Sequence, residues 1–80
     1  MMIYSVSDLY NRLDFIPEVL HLLNNKENFT KTIYGYKKIE KWLTENLDAD
    51  VVDFEIGLTE TRDDIVLHLS YNPTEEEEND

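Results

Sequence analysis

The hydrophobic positions of this chain change period part-way along. Leu9, Tyr10, Leu13, Ile16, Leu20 and Leu23 fall mostly three and four residues apart, which is one face of a helix. Ser5 and Ser7 are both suitable N-caps, and Asp8 after Ser7 places an anion in the first turn. Pro17 interrupts the run, so the helix is predicted to kink or restart there, with Asp14 as the cap of the restarted half. Asn24-Asn25 then ends it, because asparagine tolerates the left-handed conformation. The polar stretch Lys26–Thr32 reads as a loop, with Thr30 or Thr32 as the next cap. A second helix runs to about Leu47 on Ile33, Tyr36, Ile39, Trp42, Leu43 and Leu47. Gly35 weakens its first turn by about 1 kcal/mol relative to alanine, which favours a start at Tyr36.

Beyond Leu47 the period becomes two. Val52, Phe54, Ile56 and Leu58 alternate with Asp53, Glu55, Gly57 and Thr59. After a short polar loop, Ile65, Leu67, Leu69 and Tyr71 alternate with Val66, His68 and Ser70. Two such runs predict an antiparallel hairpin with one apolar face. Met1–Ser5 is available as a short third strand at an edge. The predicted fold is α+β: two amphipathic helices packed on one face of a C-terminal hairpin, in the order (β)ααββ. Residues 1–73 form a single domain, and residues 74–80 (TEEEEND) form a solvated acidic tail.

Composition narrows the function classes. Eighty residues hold one core, and 41% hydrophobic residues are enough to build it. With no cysteine there is neither a disulfide framework nor a thiolate zinc site. The start MMIYSVSDLYNR has no basic region leading into an apolar stretch, and no apolar run approaches the roughly 20 residues that span a bilayer. A cytoplasmic protein is the expectation.

Charge changes the picture most. The net charge is −11, and residues 1–45 contribute nothing to it, because six acids there balance six bases. Residues 46–80 carry twelve acids against Arg62 alone. Such a field repels nucleic acids and anionic membranes and attracts basic protein surfaces.

The candidate partner-binding residues are Asp48, Asp50, Asp53, Glu55, Glu60, Asp63 and Asp64. In a strand Asp53 and Glu55 point the same way about 6.6 Å apart, while duplex DNA presents a charge about every 3.4 Å along each strand. A rigid carboxylate row can therefore imitate a phosphate line, whereas the bland alternative is an ordinary charged outer face. Asp48-x-Asp50-x-x-Asp53 lacks the glycine and closing glutamate of a calcium loop, so no metal or other cofactor is expected. His21 is expected on a helix flanking the core, and His68 in solvent opposite Asp53 or Glu55. That dyad has no nucleophile or oxyanion donor to complete it, so the chain is not expected to be an enzyme. Lys26, Lys31, Lys37, Lys38 and Lys41, interleaved with Tyr34, Tyr36 and Trp42, would suit nucleic acid, but the acidic hairpin beside them would repel it. The aromatic residues are mostly core by periodicity; Phe29 and Tyr34 fall outside both helical stripes.

In composition alone, the chain resembles the small acidic inhibitors of phages and mobile elements, including DNA-mimic anti-restriction and anti-CRISPR proteins. That likeness implies an inhibitor that occupies a basic, nucleic-acid-binding surface of a partner protein. The alternatives are an antitoxin or immunity protein that neutralises a basic toxin, and a domain that self-associates as a homodimer, lysine-rich helix against acidic sheet.

Overall fold

The computed structural model describes residues 3–60 and 63–74. Helix α1 (Val6–Arg12) starts at Ser5, whose side chain accepts from the Asp8 N–H while the Asp8 carboxylate accepts from the Ser5 N–H, a reciprocal capping box. Two further N–H groups of its first turn, those of Val6 and Ser7, donate to the Ala49 and Leu47 carbonyls. The helix stops at Leu13, which is extended (φ −75°, ψ 128°). It does not restart. Pro17 disfavours the helical conformation at Ile16, and the chain runs instead into strand β1 (Val19–Asn24). The predicted helix through Leu20 and Leu23 is thus corrected to a seven-residue helix and a strand.

Asn24 ends β1 rather than a helix. It is buried, and its side-chain oxygen accepts from the Lys26 and Glu27 N–H groups, both at 3.0 Å. Asn28 takes the positive φ (57°) that brings the chain back as β2 (Phe29–Tyr34). Most of the loop expected over Lys26–Thr32 therefore divides between a tight turn and a strand. Gly35, at φ 92°, then turns β2 into helix α2 (Tyr36–Glu45), close to the expected second helix. The C-terminal hairpin forms as predicted, as β3 (Asp50–Leu58) and β4 (Ile65–Asn72). At the N-terminus, the described part of Met1–Ser5 makes no strand, only an isolated bridge from Ser5 to Asp50.

These strands form one mixed sheet in the order β2-β1-β4-β3. Its centre is the parallel pair β1 and β4, with an antiparallel partner outside each. The fold is a four-stranded mixed sheet with two short helices, not two helices on a C-terminal hairpin. Strand alternation sends Leu20, Leu22, Leu67, Leu69 and Tyr71 to one face, where they pack with Val6 and Leu9 of α1 and Ile39 and Leu43 of α2. Each such leucine or isoleucine contributes about 1.5–3 kcal/mol by leaving water. Trp42 of α2 meets Tyr71 edge to face, with ring centroids 5.0 Å apart. Tyr10 of α1 donates its hydroxyl to Glu40 of α2 at 3.0 Å, which raises the Tyr10 pKa above its ordinary value.

The helical roof is smaller than the sheet. Seven residues of α1 extend about 10 Å, and nine of β3 about 30 Å. Only the beginning of β3 lies under cover, where Ala49 is buried and Val51 packs against the core. Phe54, Ile56 and Leu58, which share the helix-side face with their register partners Leu69, Leu67 and Ile65, remain exposed.

Candidate partner-binding surface

Among the described residues no helix packs on the opposite face of the sheet, and its geometry is set by one irregularity. A bulge between Val51 and Asp53 inserts an extra residue into β3 opposite β4. In an unbroken strand Asp50 and Asp53 would point to opposite faces. With the bulge, Asp50 lies opposite Asn72, Asp53 opposite Ser70 and Glu55 opposite His68, all on the helix-free face. A broken alternation thus lines up three carboxylates. Asp64 extends the same face at the next hairpin position, with Thr59, whose N–H donates to the Asp64 carbonyl at 2.9 Å.

The remaining predicted residues lie at the two ends of this hairpin. Glu60 and Asp63 are exposed in the β3–β4 connection, where Asp63 has a positive φ of 56°. Asp48 is exposed in the turn between α2 and β3. Among the described residues, no cation pairs with Asp48, Asp50, Asp53, Glu55, Glu60 or Asp63. One internal contact is made: Asp53 Oδ1 accepts from the Phe54 N–H at 2.9 Å. The structure therefore brings Asp50, Asp53, Glu55 and Asp64 onto one face and sets Asp48, Glu60 and Asp63 at its rim. The acidic tail expected over 74–80 lies outside the described residues beyond Thr74.

The middle of this face carries a cross-strand row of Thr32, His21, His68 and Glu55 on β2, β1, β4 and β3. His21 is exposed on a strand, not on a helix flanking the core, because β1 replaced the predicted helix. Its ring lies 5.4 Å from that of His68, tilted by 46°, and its Nδ1 is 3.3 Å from Thr32 Oγ1. His68 is exposed opposite Glu55. With Ser70 opposite Asp53, the row sets two imidazoles and several hydroxyl side chains beside the carboxylates. No group of three or more His, Asp or Glu side chains among the described residues is placed to hold a metal ion.

Basic residues gather at the other edge of the sheet. Lys31 of β2 and Lys38 and Lys41 of α2 line a groove over Ile33 and Trp42. The molecule is consequently polarised along the sheet, lysines at the β2 edge and carboxylates at the β3 edge. No helix of the described residues is long and apolar enough to cross a membrane.

Periodicity reads as core several aromatics that the fold leaves outside: Tyr4, Phe15, Tyr36 and Phe54 are exposed, as are Phe29 and Tyr34. Two features of the surface were missed. Asp50 joins the row only through the bulge, whose one sequence signal is the doublet Val51-Val52 ahead of strict alternation. The imidazole pair requires β1 and β4 to be neighbours, a parallel pairing that local pattern does not specify.

No family model, curated protein or solved structure matches this chain.

Proposed function

We propose that this protein is a binding module that occupies a basic surface of a partner protein with the carboxylates of β3, in the manner of a small DNA-mimic inhibitor. One observation carries the reading: the bulge turns Asp50 onto the face of Asp53 and Glu55, making an exposed row in which no carboxylate is neutralised by a described cation. A solvated face kept only for solubility needs no alignment, and net −11 on 80 residues exceeds the charge that solubility of a small domain requires. The field supports the partner class: a nucleic-acid-binding groove is a concentrated basic surface, and a rigid acidic row competes with the phosphate backbone for it. Association is then fast and strongly dependent on salt. An antitoxin acting on a basic toxin would use the same chemistry.

The test is capture of partners from lysate by the tagged protein at low and moderate salt, with elution by duplex DNA. A basic nucleic-acid-binding protein should be captured and released by the DNA. The double variant Asp53→Lys/Glu55→Lys should keep the far-ultraviolet dichroism of the wild type and lose at least tenfold in capture. Equal capture by that variant contradicts the proposal.

The polarised sheet favours a second reading, in which the lysine groove of one copy receives the acidic row of another. Mass by light scattering separates the two: a strict monomer at high concentration eliminates self-association.

A further inference from the structure

Strand β3 is an edge strand whose outer side is largely open. Its first residues are covered, since Val51 N–H donates to the Tyr4 carbonyl at 2.9 Å and Ser5 bridges Asp50. From Asp53 to Leu58 no described segment pairs with that edge. The hydrogen-bond phase is fixed at the far end of the hairpin, where Thr59 N–H points to β4 and reaches the Asp64 carbonyl. Antiparallel alternation then points the backbone groups of Phe54, Ile56 and Leu58 outward. In agreement, Phe54 N–H is taken up by the carboxylate of its neighbour Asp53. The same three residues carry the exposed apolar side chains of the strand, at 37%, 48% and 64% of full exposure. Edge strands are protected by charged side chains, lysine above all, by proline, by bulges or by a covering element. Beyond the bulge, the stretch from Asp53 to Leu58 has no lysine or proline, no described helix above it, and only the charges of Asp53 and Glu55.

We infer that the open edge of β3, from Asp53 to Leu58, is completed by an added strand from a partner, in which basic and apolar residues alternate. Backbone pairing to Phe54, Ile56 and Leu58 supplies register, and the two faces supply selectivity. The apolar side chains of the incoming strand lie beside Phe54, Ile56 and Leu58 and extend the exposed strip. Its basic side chains lie beside Asp53 and Glu55 on the helix-free face. A second copy of β3 is disfavoured in the registers centred on Phe54 and Glu55, whereas one centred on Ile56 sets Glu55 against Gly57 and Asp53 against Thr59 and is opposed by net charge alone. In a twofold antiparallel pairing centred on Phe54, Asp53 meets the Glu55 of the other copy on both sides. Centred on Glu55, the two Glu55 side chains meet each other. Like charges directly opposite are destabilising, and both copies carry net −11.

The inference deepens the proposed function and rests on its assignment of β3 as the partner surface. It is tested with the full-length, ¹⁵N-labelled protein and three synthetic peptides. One alternates lysine and valine over seven residues, one has the same composition in two blocks, and one replaces every lysine by glutamate. The alternating basic peptide should bind at least tenfold more tightly than the other two. It should slow hydrogen exchange at the amides of Phe54, Ile56 and Leu58 by tenfold or more. Ile56→Pro removes an outward N–H without touching the β4 ladder and should abolish that protection. Ile56→Lys, which repels the peptide and spares the backbone, serves if the proline variant does not fold.

Equal binding of the blocked peptide, without protection at those three amides, overturns strand addition and leaves the acidic-surface reading standing. Strand-type protection that survives intact in Asp53→Lys/Glu55→Lys overturns the acidic-surface reading instead, and the basic partner with it. Protection of the three amides in the free protein, together with a dimeric mass, overturns the foreign partner in favour of a second copy.

Discussion

The two edges of this sheet are built differently. β2 presents Thr30 and Lys31 to solvent beside exposed Phe29 and Tyr34, and α2 packs over it. Lysine and polar residues at an edge discourage pairing with other chains. β3, at the other edge, has no roof beyond Val51 and alternates large apolar residues with acids. An 80-residue chain with helices of seven and ten residues has too little helix to cover four strands. What it leaves uncovered is the strand that also carries the aligned carboxylates. The lesson is that alternation assigns a residue to a face, while burial depends on the layer above that face.

The largest effect should separate the roofed and unroofed parts of one register pair. Leu67 is 1% exposed and lies opposite Ile56, which is 48% exposed. Leu67→Ala should cost about 2–5 kcal/mol in urea unfolding. Ile56→Thr, which keeps the β-branched shape, should cost about 1 kcal/mol or less. Equal costs would break the comparison, because they would mean that β3 is roofed in solution.

A smaller effect should come from the joint that holds α2 over the β2 edge. Gly35 has φ 92°, and a Cβ added there would meet no atom within 4 Å. Gly35→Ala should therefore destabilise through backbone strain alone, by about 1–3 kcal/mol. An unchanged unfolding midpoint would show that this turn adopts another conformation.

The smallest effect concerns the tie between the helices of the roof. The Tyr10 pKa is raised, chiefly because its hydroxyl donates to Glu40, and the Glu40 charge adds to this. The contact's contribution to stability is thus complete below pH about 10 and is lost as pH rises through the higher folded value. Ultraviolet titration of wild type against Tyr10→Phe should show that the substitution removes one late-ionising tyrosine component together with the matching alkaline loss of stability. A titration unchanged by the substitution would contradict the contact.

The parts of the fold that were legible in the sequence are those with one clear period and local partners. β3, β4 and α2 announce themselves by alternation or by a helical stripe, and their partners are adjacent in the chain. β1 was not legible. Leu20 and Leu23 complete a helical series with Leu13 and Ile16, and leucine has no strong strand preference to oppose it. Pro17 was the signal. It predicts a kink or a restart, whereas the helix ends earlier, at Arg12, and Pro17 keeps Ile16 from resuming it. Missing β1 also hid β2, the parallel pairing and the His21–His68 neighbours. The acidic residues were legible as a group from charge alone. Their alignment was not, because it depends on a bulge that shifts Asp50 by one register position.

The central claim is that the carboxylate row of β3 brings this protein onto a basic partner. Its most direct test is the association rate with the DNA-releasable protein from the capture experiment, measured against salt for wild type and Asp53→Lys/Glu55→Lys. A steep fall with salt in the wild type, and a slower rate with a shallower salt slope in the variant, is the predicted result. Identical rates and salt slopes for the two proteins would contradict the claim.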